Sequence, residues 1–448
     1  MANILISLLL TTLSIHLIAS VGAVYNIVDF GAKSDGQTDS ANALLSAWNA
    51  ACQSTSPATI YVPNGKFLVG HATFTGPCAN NKINVQIYGT FVAPSNYANF
   101  GSVGEWIVFD KVVGLSVYGG TLDGSGSGLW ACKASGGSCP DGTTSMTFRN
   151  SKDVLISGLT SLNSELYHIV IYYCDGVTVQ SVKINAPGNS PNTDGIHVEE
   201  SNGVTITGAS IQTGDDCVSI GPGTTNLWIE LVSCGPGHGI SIGSLGKGYN
   251  ERGVQNVTVK TTVFTGSENG LRIKTWGRPS DAFVQGVVFE HSVMQNVQNP
   301  IIIDQNYCPD NKGCPDQSSG VKISQVTYTD IHGSSASKVA VKFDCSPTNP
   351  CSGIELQNIK LTYSGAQPAE ASCTHASGTT AGFIIPPSCF KLLLELSCYI
   401  TLPTHMVFIT HYIDGVKRRK NDNQKLYTYT LIVDLTENLE TNRRTYII

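Results

Sequence analysis

Three aspartates carry the most legible chemistry in this 448-residue chain. Asp194 stands in Asn192-Thr193-Asp194-Gly195, and Asp215 and Asp216 in Gly214-Asp215-Asp216-Cys217, each just ahead of a short apolar run. Gly237-His238-Gly239 precedes a third such run, Arg272 and Lys274 lie on a fourth, and Tyr307 follows a fifth. Crowded carboxyls do not all ionise easily, so one of them is expected to keep its proton above the usual carboxylate range. A protonated carboxyl beside an ionised one is what acid–base cleavage of a glycosidic bond needs. The first donates to the leaving oxygen and the second activates water. Arg272 and Lys274 have little use on a neutral sugar, whereas a sugar bearing its own carboxylate offers the Arg fork a bidentate partner. Taken singly, each residue has a plainer reading. Asp before a strand is commonly a turn residue. His238 between glycines can serve a turn, Arg272 and Lys274 a solvated face, and Tyr307 packing. Their recurrence at one phase of a repeat is what sets them apart.

The repeat supplies that phase. Alternating apolar runs recur at Asp153–Leu159, Gly176–Ile184 and Gly203–Ile211, with further copies beginning near Leu227, Val254, Val284, Val321 and Ile354. Their spacing of roughly 23 to 35 residues is that of a solenoid. A second run lies between them, at Gly195–Val198, Cys217–Ile220, Gly239–Ile242, Leu271–Lys274 and Ile301–Asp304. Period-two alternation predicts strands, at least two in each coil. A single coil cannot bury its apolar side, so coils must stack in parallel and share one core. Stacking at about 4.8 Å per rung would gather the candidate residues into one cleft. An Ala- and Leu-rich stretch near Ala41–Ala51 predicts a capping helix at the N-terminal end.

Composition agrees with a β-rich chain. Charged residues make up 13% and glycines number 46. The net charge is −6 and the one basic run is Lys417-Arg418-Arg419-Lys420, which argues against nucleic acid as a partner. Ile4–Val21 is apolar and Val21-Gly22-Ala23 ends it with small residues, predicting a signal peptide over 1–23, although the basic start is missing. No later run is long enough to span a bilayer, so no membrane is expected once the signal is removed. The 14 cysteines suit a secreted chain. Proximity pairs Cys52 with Cys78, Cys132 with Cys139, Cys217 with Cys234, Cys308 with Cys314, Cys345 with Cys351 and Cys373 with Cys389. Cys174 and Cys398 are left over, with Cys174 read as a buried apolar filler. Asn256-Val257-Thr258 is a candidate glycosylation site.

Asn192-Thr193-Asp194, Gly214-Asp215-Asp216, Gly237-His238-Gly239 and Arg272-Ile273-Lys274, in this order, resemble the four signature motifs of the polygalacturonases. The resemblance runs from about Val24 to Cys389. Ala51-Cys52, Phe67-Leu68-Val69-Gly70 and Ser190-Pro191-Asn192 look most like the plant pollen-type, exo-acting branch. It implies an all-β, right-handed parallel β-helix and inverting hydrolysis of α-1,4-galacturonan without a metal. By motif, Asp215 would be the general acid, Asp194 and Asp216 would activate water, and His238 would support protonation of the acid. Arg272 and Lys274 would bind galacturonate carboxylate, Tyr307 would position the sugar, and Asn192 belongs to the substrate-binding set. The expected partner is polygalacturonate, or pectin, met by a monomer secreted to the cell wall. Endo action, a Ca²⁺-dependent pectate lyase and a non-catalytic pectin-binding β-helix are the competing readings.

The character of the chain changes after Cys389. Residues 390–448 hold one glycine, Gly415, and no repeat. The catalytic domain is therefore expected over 24–389, with 390–448 an atypical tail outside the family pattern.

Overall fold

The computed structural model describes residues 22–309, 312–365 and 367–390, together with the backbone of short segments at 396–402, 405–411, 430–432 and 445–447. Residues 1–21 of the expected signal segment and Cys398's side chain lie outside the described residues, whereas Ala23 begins a strand, Ala23–Asn26, and pairs with Ala58. The chain divides into two compact units, 1–388 and 389–448. In the second, Leu396–Leu402 pairs antiparallel with His405–His411, and Thr430–Ile432 with Thr445–Ile447.

The first unit is a right-handed parallel β-helix. One sheet of 11 parallel strands runs from Ala72–Thr75 to Glu370–Thr374, each strand beside its successor in the chain. A second, 19-stranded parallel sheet takes the remaining strands of the coils. The expected single runs prove to be two strands each in several coils. Asp175–Gln180 and Lys183–Asn185 are separated at Ser181, and Asn202–Thr207 and Ser210–Gln212 at Gly208, both with positive φ. These coils thus carry three strands, because a left-handed residue turns the chain between the first and second.

Left-handed residues also stack near the start of the first strands. One column holds Asp153, Gly176, Gly203, Asn226, Asn256, Gly286, Gln325 and Gly353, all with positive φ. The left-handed region costs a non-glycine residue about 1–2 kcal/mol, and Asn and Asp meet it most easily. The Asn256 amide bonds Asn226, which donates to Asn202 at 2.6 Å, which donates to Asp175 at 2.8 Å. Asn256 is exposed on this ladder.

The core lies inside the coils. Val154, Val177, Val204, Leu227, Val257, Val287, Val326 and Ile354 stand in one register and are all buried. Burying each such side chain is worth about 1.5–3 kcal/mol. At the N-terminal end the helix Ala41–Gln53 presents Leu44, Ala47, Trp48 and Ala51 as one buried stripe. Trp48 meets Phe74 and Phe109 at ring distances of 5.4 and 5.7 Å, capping the core as the sequence predicts. Two further short helices, Tyr97–Phe100 and Ser127–Ala134, had no counterpart in the periodicity.

Disulfides join Cys52–Cys78, Cys132–Cys139, Cys217–Cys234, Cys308–Cys314 and Cys345–Cys351. Cys373 and Cys389 are each disulfide-bonded. Cys174 is free and buried, and burial pushes its thiol up to about 11, which suits a packing residue.

Candidate active site

Neighbouring strands of the 11-stranded sheet set the site. Ile196–Glu199, Val218–Ile220, Ile240–Leu245, Asn269–Trp276 and Asn299–Tyr307 pair in that order. Ile196, Val218, Ile240, Leu271 and Ile301 form an inward row, and His197, Ser219, Ser241 and Arg272 the adjacent one. Strict alternation would send Asp216 inward with Val218. It does not, because Cys217 and Val218 are both fully buried, which breaks the period at the turn. The Cys217–Cys234 disulfide pins this irregularity to the neighbouring coil, where Cys234 pairs with Ile211.

Asp216 is the most heavily bonded acid. Its Oδ1 accepts from Ser241 Oγ at 2.7 Å and Arg272 Nη2 at 2.6 Å, and its Oδ2 from Lys274 Nζ at 2.9 Å. Arg272 and Lys274 are each 7% exposed. Burial opposes the carboxylate, but Lys274 and Arg272 outweigh it and hold Asp216 down at about 2. Asp194, also buried, goes the other way. Burial first, then the charges of Asp215 and Asp216, raise its carboxyl well above the ordinary range. Within the crowded trio, Asp216 is thus pushed down and Asp194 up.

Asp215 is half-buried at the turn. Its Oδ1 accepts from the Asp216 amide at 2.8 Å and lies 3.1 Å from His238 Nδ1, and its Oδ2 lies 3.4 Å from Asn192 Nδ2. His238 Nε2 lies 3.3 Å from Glu268 Oε2. Carboxylates only accept, so both ring nitrogens are best served as donors, which is the imidazolium. Burial works against that charge, but the Asp215 hydrogen bond and charge, followed by Glu268, raise the imidazole above its usual value. Tyr307 ends its strand rather than following it. Lys274 Nζ lies 5.1 Å from its ring centroid, and Trp276 meets it edge-on at 5.4 Å.

The structure thus gathers Asp194, Asp215, Asp216, His238, Asn192, Arg272, Lys274 and Tyr307. It differs from expectation in one respect: Arg272 and Lys274 are engaged with Asp216. Three groups went unread in the sequence. Glu268 stands three residues before Leu271, the same offset as Asp215 before Val218, so the repeat itself held that signal. Ser219 and Ser241 are outward strand residues, which period two alone does not distinguish from any others. Asp215, Asp216 and His238 offer ligand atoms within 4.8 Å of one another. A cation there would face Arg272 and Lys274, both already on Asp216, so this donor set fits a metal poorly.

Residues 52–382 match the family description "Glycosyl hydrolases family 28". The chain belongs to that family. This family 28 chain is a glycoside hydrolase. It is 60% identical over 366 residues to a "Polygalacturonase" of Prunus persica, covering 82% of this chain and 93% of that protein. It is 43% identical to an "Exopolygalacturonase" of Platanus acerifolia, covering 82% and 98%. Among solved structures, the endo-xylogalacturonan hydrolase of Aspergillus tubingensis aligns with a TM-score of 0.70 at 24% identity, covering 80% of this chain and 99% of that one. A hyperthermoactive exopolygalacturonase from Thermotoga maritima aligns at 0.68 and 19%, covering 87% and 94%. These two share the fold.

Proposed function

We propose that this family 28 hydrolase cleaves the α-1,4-galacturonosyl linkages of polygalacturonan with inversion, acting from a chain end and releasing galacturonic acid. The observation that carries the reading is the meeting of three carboxyls in one cleft, Asp216 fixed by Arg272 and Lys274 and Asp215 with its Oδ1 3.1 Å from His238 Nδ1. An ionised carboxylate beside a carboxyl that can take a proton from its neighbour is the pairing that inverting glycoside hydrolysis uses. Asp215 is the general acid, and Asp216, with Asp194 once ionised, activates the water. His238 Nδ1 lies 3.1 Å from Asp215 Oδ1 and can return a proton to it after each turnover, its own being replenished through its half-exposed side. Arg272 and Lys274 do two jobs. They keep Asp216 ionised, and their donors not spent on Asp216 address a galacturonate carboxylate beside Tyr307 and Asn192.

Exo action is supported by the 43% identity to a protein named exopolygalacturonase. Secretion to the cell wall, action as a monomer, a removable signal over 1–23 and glycosylation at Asn256 complete the reading, the disulfides and the exposed Asn256 agreeing with that route. The test is the product profile on polygalacturonate. Monomer should accumulate from the start while viscosity falls slowly, and the new reducing end should appear as the β-anomer. Early oligomers with rapid thinning would make the enzyme endo-acting. Unsaturated products would make it a lyase and end the hydrolase reading.

A further inference from the structure

Ser241 joins the two groups that define Asp216. Its Oγ donates to Asp216 Oδ1 at 2.7 Å and accepts from Arg272 Nε at 2.8 Å, while Arg272 Nη2 reaches the same Oδ1 at 2.6 Å. The serine is fully buried. A hydroxyl has one proton, and the guanidinium Nε–H can only donate, so the Ser241 proton has one place to go, Asp216. The rotor is fixed by its neighbours. The guanidinium is held at two points, through Nε on the serine and Nη2 on the carboxylate, and its plane is set by both.

We propose that Ser241 is a positioning residue of the hydrolysis: it locks the Arg272 plane and aims the Asp216 carboxylate at the attacking water. This rests on the reading of Asp216 as a water-activating group. The β-helix repeats the spacing one rung earlier. Asp194 to Ser219 is the same step of 25 residues as Asp216 to Ser241, and Ser219 precedes Ser241 in one register. Ser219 Oγ lies 2.8 Å from His197 Nδ1, the place that Arg272 Nε takes on Ser241. The two serines thus hold equivalent places in the repeat but face different side chains: a guanidinium beside Ser241, an imidazole beside Ser219.

The test is a double-mutant cycle on the full chain with polygalacturonate as substrate. Ser241→Ala should lower kcat about tenfold to a hundredfold with KM within about threefold, because the lost bond acts on the reacting groups and not on substrate affinity. If Ser241 acts through Asp216, adding Ser241→Ala to Asp216→Asn should cost no more than about twofold. Multiplying losses, or a kcat for Ser241→Ala within twofold of wild type, would overturn the inference. A second measurement does not depend on turnover. Losing a donor weakens the Asp216 carboxylate, so acid unfolding of Ser241→Ala should begin about half a pH unit higher than in the wild type. An unmoved midpoint would also overturn it. A wild type that leaves polygalacturonate intact overturns the substrate reading instead, and the acid-unfolding measurement still decides the role of Ser241.

Discussion

The Arg272 guanidinium donates to Asp216 Oδ1 at 2.6 Å, from a side chain 9% exposed to one 1% exposed. A residue read from the sequence as waiting for substrate is thus already paired inside the protein. Buried pairs of this kind are costly to break from one side, since the survivor is left charged and dry.

Arg272→Gln should therefore damage both stability and turnover. Lys274 remains on Asp216, which softens the loss to about 3 kcal/mol, at the low end for broken buried pairs. Urea unfolding measures it. kcat should fall at least about a hundredfold, since Asp216 loses a cation and its fixed orientation. A variant with weaker substrate binding but unchanged kcat and stability would show that Arg272 serves substrate alone.

Asp215→Asn keeps shape and removes the transferable proton. kcat should fall by about a thousandfold, within the usual range for a lost general acid. Binding of oligogalacturonate, followed calorimetrically, should survive because Arg272, Lys274 and Tyr307 are untouched. Loss of binding with kcat retained would place Asp215 among substrate contacts.

Activity should follow a bell whose maximum lies between its two limbs, above the ordinary carboxylate range. Asp194, raised by burial and its neighbours, must ionise and sets the acid limb above the ordinary carboxylate range. His238, raised by Asp215 and Glu268 against its burial, sets the alkaline limb as it loses its proton. His238→Asn should remove that limb and lower kcat, as read from kcat/KM against pH. Stability follows the same signs. The contribution of His238 is complete below its unfolded value and is lost as pH rises through the higher folded one. That of Asp216 is present above 3.8, the ordinary value, and is lost as pH falls towards about 2. Melting temperatures should accordingly drop between pH 4 and 2, and Asp216→Asn should show a shallower drop.

A chain ending after Cys389 should fold and hydrolyse polygalacturonate as the full chain does. The last parallel pairing, Cys351–Tyr363 with Ala376–Ile385, is complete before that point. Solubility and specific activity of the truncated chain check this. An insoluble product would assign residues 390–448 to the fold.

The inward rows and the phase of the acids were legible because the solenoid writes the same side-chain pattern once per coil. Asp194, Asp215, Asp216 and His238 could be placed together without coordinates for that reason. The pairing of Arg272 with Asp216 could not, because residues 56 apart in sequence meet only through the pitch of two coils. The corners were also hidden. Leu231, Thr261 and His291 adopt positive φ without being glycine, imposed by the stack above and below and not by their own preference. The helices Tyr97–Phe100 and Ser127–Ala134 are too short to show a helical period.

Because each coil touches only its neighbours, the molecule has two kinds of length. Whole coils gained or lost before Ile169–Tyr172 or after Val339–Asp344 would lengthen or shorten the rod and leave the chemistry intact. A single coil slipped in between Val218–Ile220 and Asn269–Trp276 would carry Arg272 and Lys274 a full rung further from Asp216 and strand a bare charge in the wall of the cleft. Growth and shrinkage by duplication are thus open to the ends of this protein and closed to its middle.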